Sequence, residues 1–378
     1  MKEISISEIE TSRQGLVSAR VRFDDTDETV WFELPDSCTP HPDLIATAFA
    51  ALFGPAFERW EYEGAVSAFA LCKLENVTAS KWNNPMYDVS PRAPGARTIL
   101  NFSGGFDSLA ALALYGRDQP LVSMDFGEKF KRERDFFKSF DTAIVATNAR
   151  QFEKSWTFMG IGSILMADYF KAGYVSFGSI LEASPLGMVS RTGPRKGSPV
   201  FSVASLEETN PLAGLTEFGT AMLASRAFPE IIGESLVSLA DRHTEKYLRK
   251  HLLLKLVEDK IGSVDLADCP EPTMKEPLVF GSNFAADFLA PGLWSKCDAS
   301  RWMQPTRGFE KWAEGKNLSF YWSELPRIAY HPDPQTQRTI VANKHEFGVE
   351  PYNATDWEEL REVLTVLGFF HTIPGRHW

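Results

Sequence analysis

Cysteine is scarce in this chain: four in 378 residues, Cys38, Cys72, Cys269 and Cys297, and no two stand in a CxxC pair. That scatter excludes a zinc knuckle and a locally encoded disulfide framework, so four reduced thiols and no zinc are expected. Long apolar runs are missing too. No segment approaches the roughly 18 uninterrupted apolar residues of a membrane span, and MKEISISEIE has no apolar core behind a basic start. The expected setting is the cytoplasm, with no membrane partner. An excess of positive charge is also absent, since 39 Lys and Arg face 50 Asp and Glu for a net −11. Such a balance argues against nucleic acid as the partner. Two phosphate-binding signatures fail by inspection. Gly315-Lys316 is followed by Asn317 and preceded five positions earlier by Glu310, so there is no GxxxxGK[ST]. Gly160-Ile161-Gly162 meets Leu165 where a dinucleotide fingerprint needs its third glycine.

What is present fits a soluble globular chain of two or three domains, 44% hydrophobic and 24% charged. Leu16–Phe23 and Glu28–Leu34 alternate apolar and polar residues around Asp24-Asp25-Thr26-Asp27, which predicts a hairpin. Asp43 can cap a helix that runs to Gly54-Pro55. The proline-rich stretch 83–95 reads as a linker, closing a small α+β domain over 1–95. From Arg97 strands and helices alternate. Strands are expected at Ile99–Phe102, Leu121–Asp125, Ala143–Ala146 and Tyr174–Gly178, with helices at Asp107–Tyr115, Glu128–Phe140 and Gly162–Ala172. This alternation predicts an α/β, doubly wound, mainly parallel sheet. Further helices are expected over Thr216–Ala227 and Glu234–Lys260, completing a domain over 96–265. His243 and His251 fall eight apart on the last of these, about 12 Å by helical rise and too far for one metal. The aromatic-rich remainder, 266–378, reads as an extension or lid and offers a candidate homodimer surface.

The chemistry concentrates at Ser103-Gly104-Gly105-Phe106-Asp107-Ser108, where a strand meets a helix. A glycine turn feeding a helix aims several backbone N–H groups and the positive end of the helix dipole at one spot, which suits an anion. Ser103 and Ser108 add hydroxyl donors. An acid in a phosphate cradle repels the ligand unless a cation lies between, so Asp107 points to Mg²⁺ bridging to polyphosphate.

This SGGFDS segment resembles the SGGxDS turn of the PP-loop (N-type) ATP pyrophosphatase superfamily. Val122-Ser123-Met124-Asp125-Phe126-Gly127-Glu128-Lys129 is similar to the FDYGQRHxxE stretch of its 7-cyano-7-deazaguanine synthases, the helix from Gly162 to the position of their GRNxxFLxxAA helix, and Val175–Gly178 to their VxTG strand. Val30–Pro35 also resembles a leader domain of larger PP-loop proteins. The resemblance implies an adenine nucleotide alpha hydrolase-like fold and an ATP-dependent ligase. In this superfamily a carboxylate or carbonyl oxygen attacks the α-phosphorus of ATP, pyrophosphate leaves, and a nitrogen or sulfur nucleophile displaces AMP. It assigns catalysis to Ser103, Asp107, Ser108 and Lys129, and ATP binding to Ser103–Ser108, Met124, Asp125, Phe126 and Gly178. Asp107 is the metal ligand. Glu182, after the fourth strand, and Arg191, Arg195 and Lys196 on a glycine-rich loop read as substrate-side groups, the loop as a cationic lid.

Two departures separate the chain from the deazaguanine synthases. Their clustered zinc cysteines have no counterpart in Leu236–Lys255, and the arginine of their GRN motif is replaced by Ile161 or Ser163. The resemblance therefore implies an altered acceptor, a small molecule or a protein terminus, and relatives of this kind stand beside bacterial antiphage systems. The competing reading is a non-catalytic ATP or AMP sensor that keeps the turn without turnover.

Overall fold

The computed structural model describes residues 2–83, 86, 89–183, 188, 197–262, 264–306, 308–326 and 331–373. In chain order the strands are β1 (Glu3–Thr11), β2 (Leu16–Phe23), β3 (Thr26–Glu33), β4 (Arg59–Tyr62), β5 (Lys81–Asn83), β6 (Arg97–Asn101), β7 (Leu121–Asp125), β8 (Thr142–Thr147), β9 (Ala172–Ser176) and β10 (Glu207–Thr209), followed by the short pair β11 (Leu278–Val279) and β12 (Met303–Gln304). The α-helices are α1 (Pro42–Phe53), α2 (Ala68–Thr78), α3 (Phe106–Tyr115), α4 (Lys131–Phe137), α5 (Ile161–Leu165), α6 (Glu217–Ala227), α7 (Ile232–Leu239), α8 (Glu245–Ile261), α9 (Phe284–Trp294), α10 (Phe309–Ala313), α11 (Pro334–Glu346) and α12 (Ala354–Leu367). Two compact units result. One comprises residues 1–103, 118–177 and 196–209, the other residues 104–117, 178–195 and 210–378. These units do not follow the boundaries expected at residues 95 and 265. No helix among the described residues is long and apolar enough to cross a membrane.

The first unit is α/β, built on a single sheet of ten strands in the order β10-β9-β6-β7-β8-β3-β2-β1-β4-β5. Six neighbouring pairs are parallel and three, β1–β2, β2–β3 and β3–β8, are antiparallel. The N-terminal strands are therefore continuous with the parallel set through the β3–β8 seam, where Phe32 pairs with Thr147 and Glu33 with Ala146. Alternation explains the hairpin: Val17, Ala19, Val21 and Phe23 of β2 and Val30 and Phe32 of β3 are buried while their neighbours face outward. Its turn is tighter than the sequence pattern implies, because Phe23 pairs directly with Thr26 and Asp24 takes a left-handed backbone. The parallel strand β6 buries Thr98, Ile99 and Leu100 in succession, as a strand covered on both faces must. Asp43 does not cap α1. His41 does, and the buried Asp43 carboxylate instead binds the N–H and hydroxyl of Ser67 and the N–H of Arg92.

Three expected helices are shorter than their apolar patterns. The segment after β7 opens with a 3-10 turn, Glu128–Phe130, so α4 covers only Lys131–Phe137. After α5 the chain turns, with Lys171 in a left-handed conformation, and enters β9 at Ala172. The expected helix over Glu234–Lys260 is two, separated where Ala240 is extended and Thr244 caps α8 by accepting from the N–H of Tyr247. His243 consequently lies ahead of α8 and bonds the Thr273 hydroxyl.

The second unit is helical. Helix α3, buried along most of its length, packs against α6 and α11, and Asn343 of α11 donates to the carbonyls of Ala113 and Leu114. The aromatic-rich C-terminal residues form this unit's core, where Phe218, Phe288, Trp302, Phe320 and Tyr321 are all but completely buried.

Candidate functional site

The glycine turn enters the second unit at Gly104, whose φ of +73° favours a residue without a side chain. Gly105 is the N-cap of α3 and offers no side-chain cap to its first N–H groups. The Ser235 hydroxyl of α7 donates to the Gly104 carbonyl at 2.6 Å, and the Ser108 hydroxyl and Leu109 N–H donate to the Gly105 carbonyl at 3.0 and 2.8 Å. In a trans peptide the N–H opposes the C=O. Fixing these two carbonyls therefore turns the N–H groups of Gly105 and Phe106 the other way, out of the helix start.

Asp107, in the first turn of α3, accepts from the Thr220 hydroxyl at 2.6 Å on Oδ1. A Cβ on Gly178 would stand 2.9 Å from the Asp107 carbonyl carbon and 3.0 Å from its oxygen. The missing side chain thus admits the Asp107 backbone. Phe106 is buried beneath the ammonium of Lys250, 4.4 Å from its ring centre.

Asp107 also lines a cavity of about 430 Å³, together with the carboxyl groups of Glu182, Glu217 and Glu245 and the cations Lys246, Arg249 and Lys250. Its remaining wall is largely apolar, with Ile180, Leu278 and Leu289. Glu217, at the start of α6, is buried and pairs with Arg249 and with Lys250, the latter at 2.6 Å. Glu245 accepts from Arg249 Nε at 2.7 Å and from the Trp302 indole N–H at 2.8 Å. Glu182 is buried; its Oε1 accepts from the Glu217 N–H at 2.8 Å, while Oε2 has no hydrogen-bond partner among the described residues. Burial, reinforced by the charge of Asp107, pushes the Glu182 carboxyl up to about 8. Burial likewise brings the Lys250 ammonium down to about 8 against the opposing pull of Asp107, Glu182 and Glu245. A carboxyl raised by burial and an ammonium lowered by it, the latter still paired with Glu217, therefore stand in one cavity.

Ser103, Met124, Asp125, Phe126 and Lys129 belong to the first unit. Ser103 is exposed at the end of the segment that leaves β6. At the end of β7, Met124 is buried, Asp125 accepts from the Gly127 N–H at 2.9 Å and pairs with Arg134 at 3.2 Å, and Phe126 packs against Phe130 and Phe158 under the guanidinium of Arg150. Lys129 is exposed on the 3-10 turn. Arg191, Arg195 and Lys196 lie outside the described residues. No group of three or more metal-ligating side chains occurs among the described residues. A single carboxylate beside free N–H groups fits Mg²⁺ in its usual enzymic form, carried on substrate phosphates and held by one or two protein oxygens.

Thr220, Ser235, Arg249 and Lys250 were not legible as site residues. The Thr220–Asp107 bond joins positions 113 apart in the chain, and no local spacing announces it. Scans against protein-family models, curated proteins and solved structures returned no match.

Proposed function

We propose that the chain is an ATP-dependent adenylating ligase of the PP-loop type, with an adenine nucleotide alpha hydrolase-like arrangement, acting in the cytoplasm. The observation that carries the reading is the SGGFDS turn, whose carbonyls are tied back by Ser235 and Ser108 so that consecutive N–H groups face outward. Such fixed donors stabilise the charge that develops on the departing β,γ-phosphates without reorganising during the step. Gly104, Gly105, Phe106 and Ser108 hold pyrophosphate on this reading, with Ser103 completing the turn. Asp107, oriented by Thr220, holds the Mg²⁺ that offsets phosphate charge when bound. Met124, Asp125 and Phe126 border the adenosine, Lys129 supplies a cation, and the acceptor is a carboxylate or carbonyl compound or a protein terminus.

The test is release of pyrophosphate from ATP and Mg²⁺ with 7-carboxy-7-deazaguanine and ammonium as trial acceptor and nucleophile. Asp107→Ala is expected to abolish release while circular dichroism stays unchanged. Undiminished release from that variant refutes the assignment. Tight ATP binding with no release from any acceptor replaces it with the sensor reading.

A further inference from the structure

We propose that the cavity of the second unit is a binding site for a small organic primary amine, its ammonium held by Glu182 Oε2 and its hydrocarbon body laid against Ile180, Leu278 and Leu289. The inference stands on the cavity alone and does not use the adenylation reading.

Its starting point is an imbalance among the lining charges. Among the described residues four carboxyl groups and three cations face the space, and their pairing is uneven. Arg249 is committed to Glu217 and Glu245, and Lys250 to Glu217. Asp107 and Glu182 take part in no ion pair among the described residues; one has a threonine hydroxyl and the other a backbone N–H. Among the described residues Glu182 Oε2 is left buried with no donor. A buried acceptor without a partner costs on the order of 1–3 kcal/mol, which a ligand bringing an N–H recovers.

The same inventory selects the ligand. An anion would find Arg249 and Lys250 already paired with carboxylates. A resident metal ion has no cluster of three ligating side chains among the described residues. A primary ammonium has three donors around one nitrogen, enough to satisfy Oε2 and still face a second oxygen across the cavity. The volume, about 430 Å³, lies at the small end of ligand sites, and the apolar wall opposite the acids needs a hydrocarbon part to cover it. Bare ammonium covers none of it.

The experiment uses the full chain without nucleotide, so its result is separate from that of the pyrophosphate assay. Calorimetric titration with n-butylamine is expected to show saturable binding. Ammonium chloride should bind at least roughly tenfold more weakly because it leaves the apolar wall bare, and tetramethylammonium, which has no N–H, should not bind. Glu182→Gln should weaken butylamine roughly tenfold or more, because the ammonium displaces the proton of Glu182 to make a charge-assisted hydrogen bond that the amide cannot make. Ala286→Phe, which fills the apolar side, should do the same without touching an acid, and serves if the glutamine variant does not fold. Absence of butylamine binding to the wild type overturns the proposal, and so does affinity that is equal for ammonium or unchanged in a folded Glu182→Gln or Ala286→Phe chain.

Discussion

Glu182→Gln is also the sharpest probe of the electrostatics, because it replaces a buried, protonated carboxyl with a neutral group of the same shape. In the unfolded chain the carboxyl titrates at its ordinary 4.5, and in the folded chain at about 8. Between these values the folded protein keeps a proton that the unfolded chain has released, so the group's contribution is fully present below 4.5 and is lost as pH rises to about 8. The full displacement corresponds to roughly 5 kcal/mol, an upper bound that water entering the cavity would reduce. Lys250 works in a different window: its depressed value makes the fold gain stability only as pH rises from about 8 toward 10.5. His251 and His331, both lowered by burial, contribute alike to both proteins and cancel in the difference. The assay is urea unfolding of wild type and Glu182→Gln at intervals from pH 5 to 8. The glutamine chain should gain on the wild type by several kcal/mol across that range. A constant difference between the two at every pH refutes a neutral Glu182.

Two further substitutions test named contacts. Thr220→Val removes the hydroxyl that holds Asp107 while keeping the shape of a fully buried side chain; pyrophosphate release should fall by roughly tenfold or more with a raised Mg²⁺ requirement, and Thr220→Ser should restore both. Arg92→Met in the first unit removes a donor, at 2.7–2.8 Å, from the carbonyls of Ala172 and Ala204 and from the Asp168 carboxylate, leaving Ala172 the Gly95 N–H and Asp168 the His41 N–H. Its urea midpoint should report a loss of about 3 kcal/mol, the lower end for a broken buried pair because Asp168 is partly exposed.

The features legible in the sequence are those whose cause is local. Alternation in Leu16–Phe23 marks a strand because side chains of β2 truly face opposite ways, and the glycine turn is legible because its six residues are consecutive. The seam between β3 and β8 has no such signature: besides its backbone pairing, the Thr147 hydroxyl donates to the Trp31 carbonyl at 2.6 Å and Asn148 bonds the Trp31 N–H and the Thr29 carbonyl, contacts between residues far apart in the chain that no local spacing announces. A proline-rich stretch therefore suggested a boundary where the sheet has none. The overlong helix expected from Gly162 has a similar origin. Its apolar period continues past Leu165, but Asp168 is drawn to Arg92 and Lys171 takes a left-handed backbone, a tertiary demand that outweighs helical propensity. Glu182 was visible as an acid after a strand, whereas nothing in the sequence sets Arg249 and Lys250 apart from the other charges of their helix, since the Glu217 that pairs with them lies on another helix.

The alternation of the chain between its two units has a consequence for synthesis. Helix α3 leaves the ribosome early, a buried apolar segment whose partner helices α6 and α11 begin at Glu217 and Pro334. The sheet cannot gain its last strand until Thr209 has emerged. Neither unit can close while the chain is half made, so the nascent protein must carry exposed apolar surface for most of its translation, the condition that recruits chaperones and slows folding. A chain stopped short of α11 would leave the side of α3 that α11 covers permanently exposed, which makes late truncations a route to aggregation and not to a smaller folded chain.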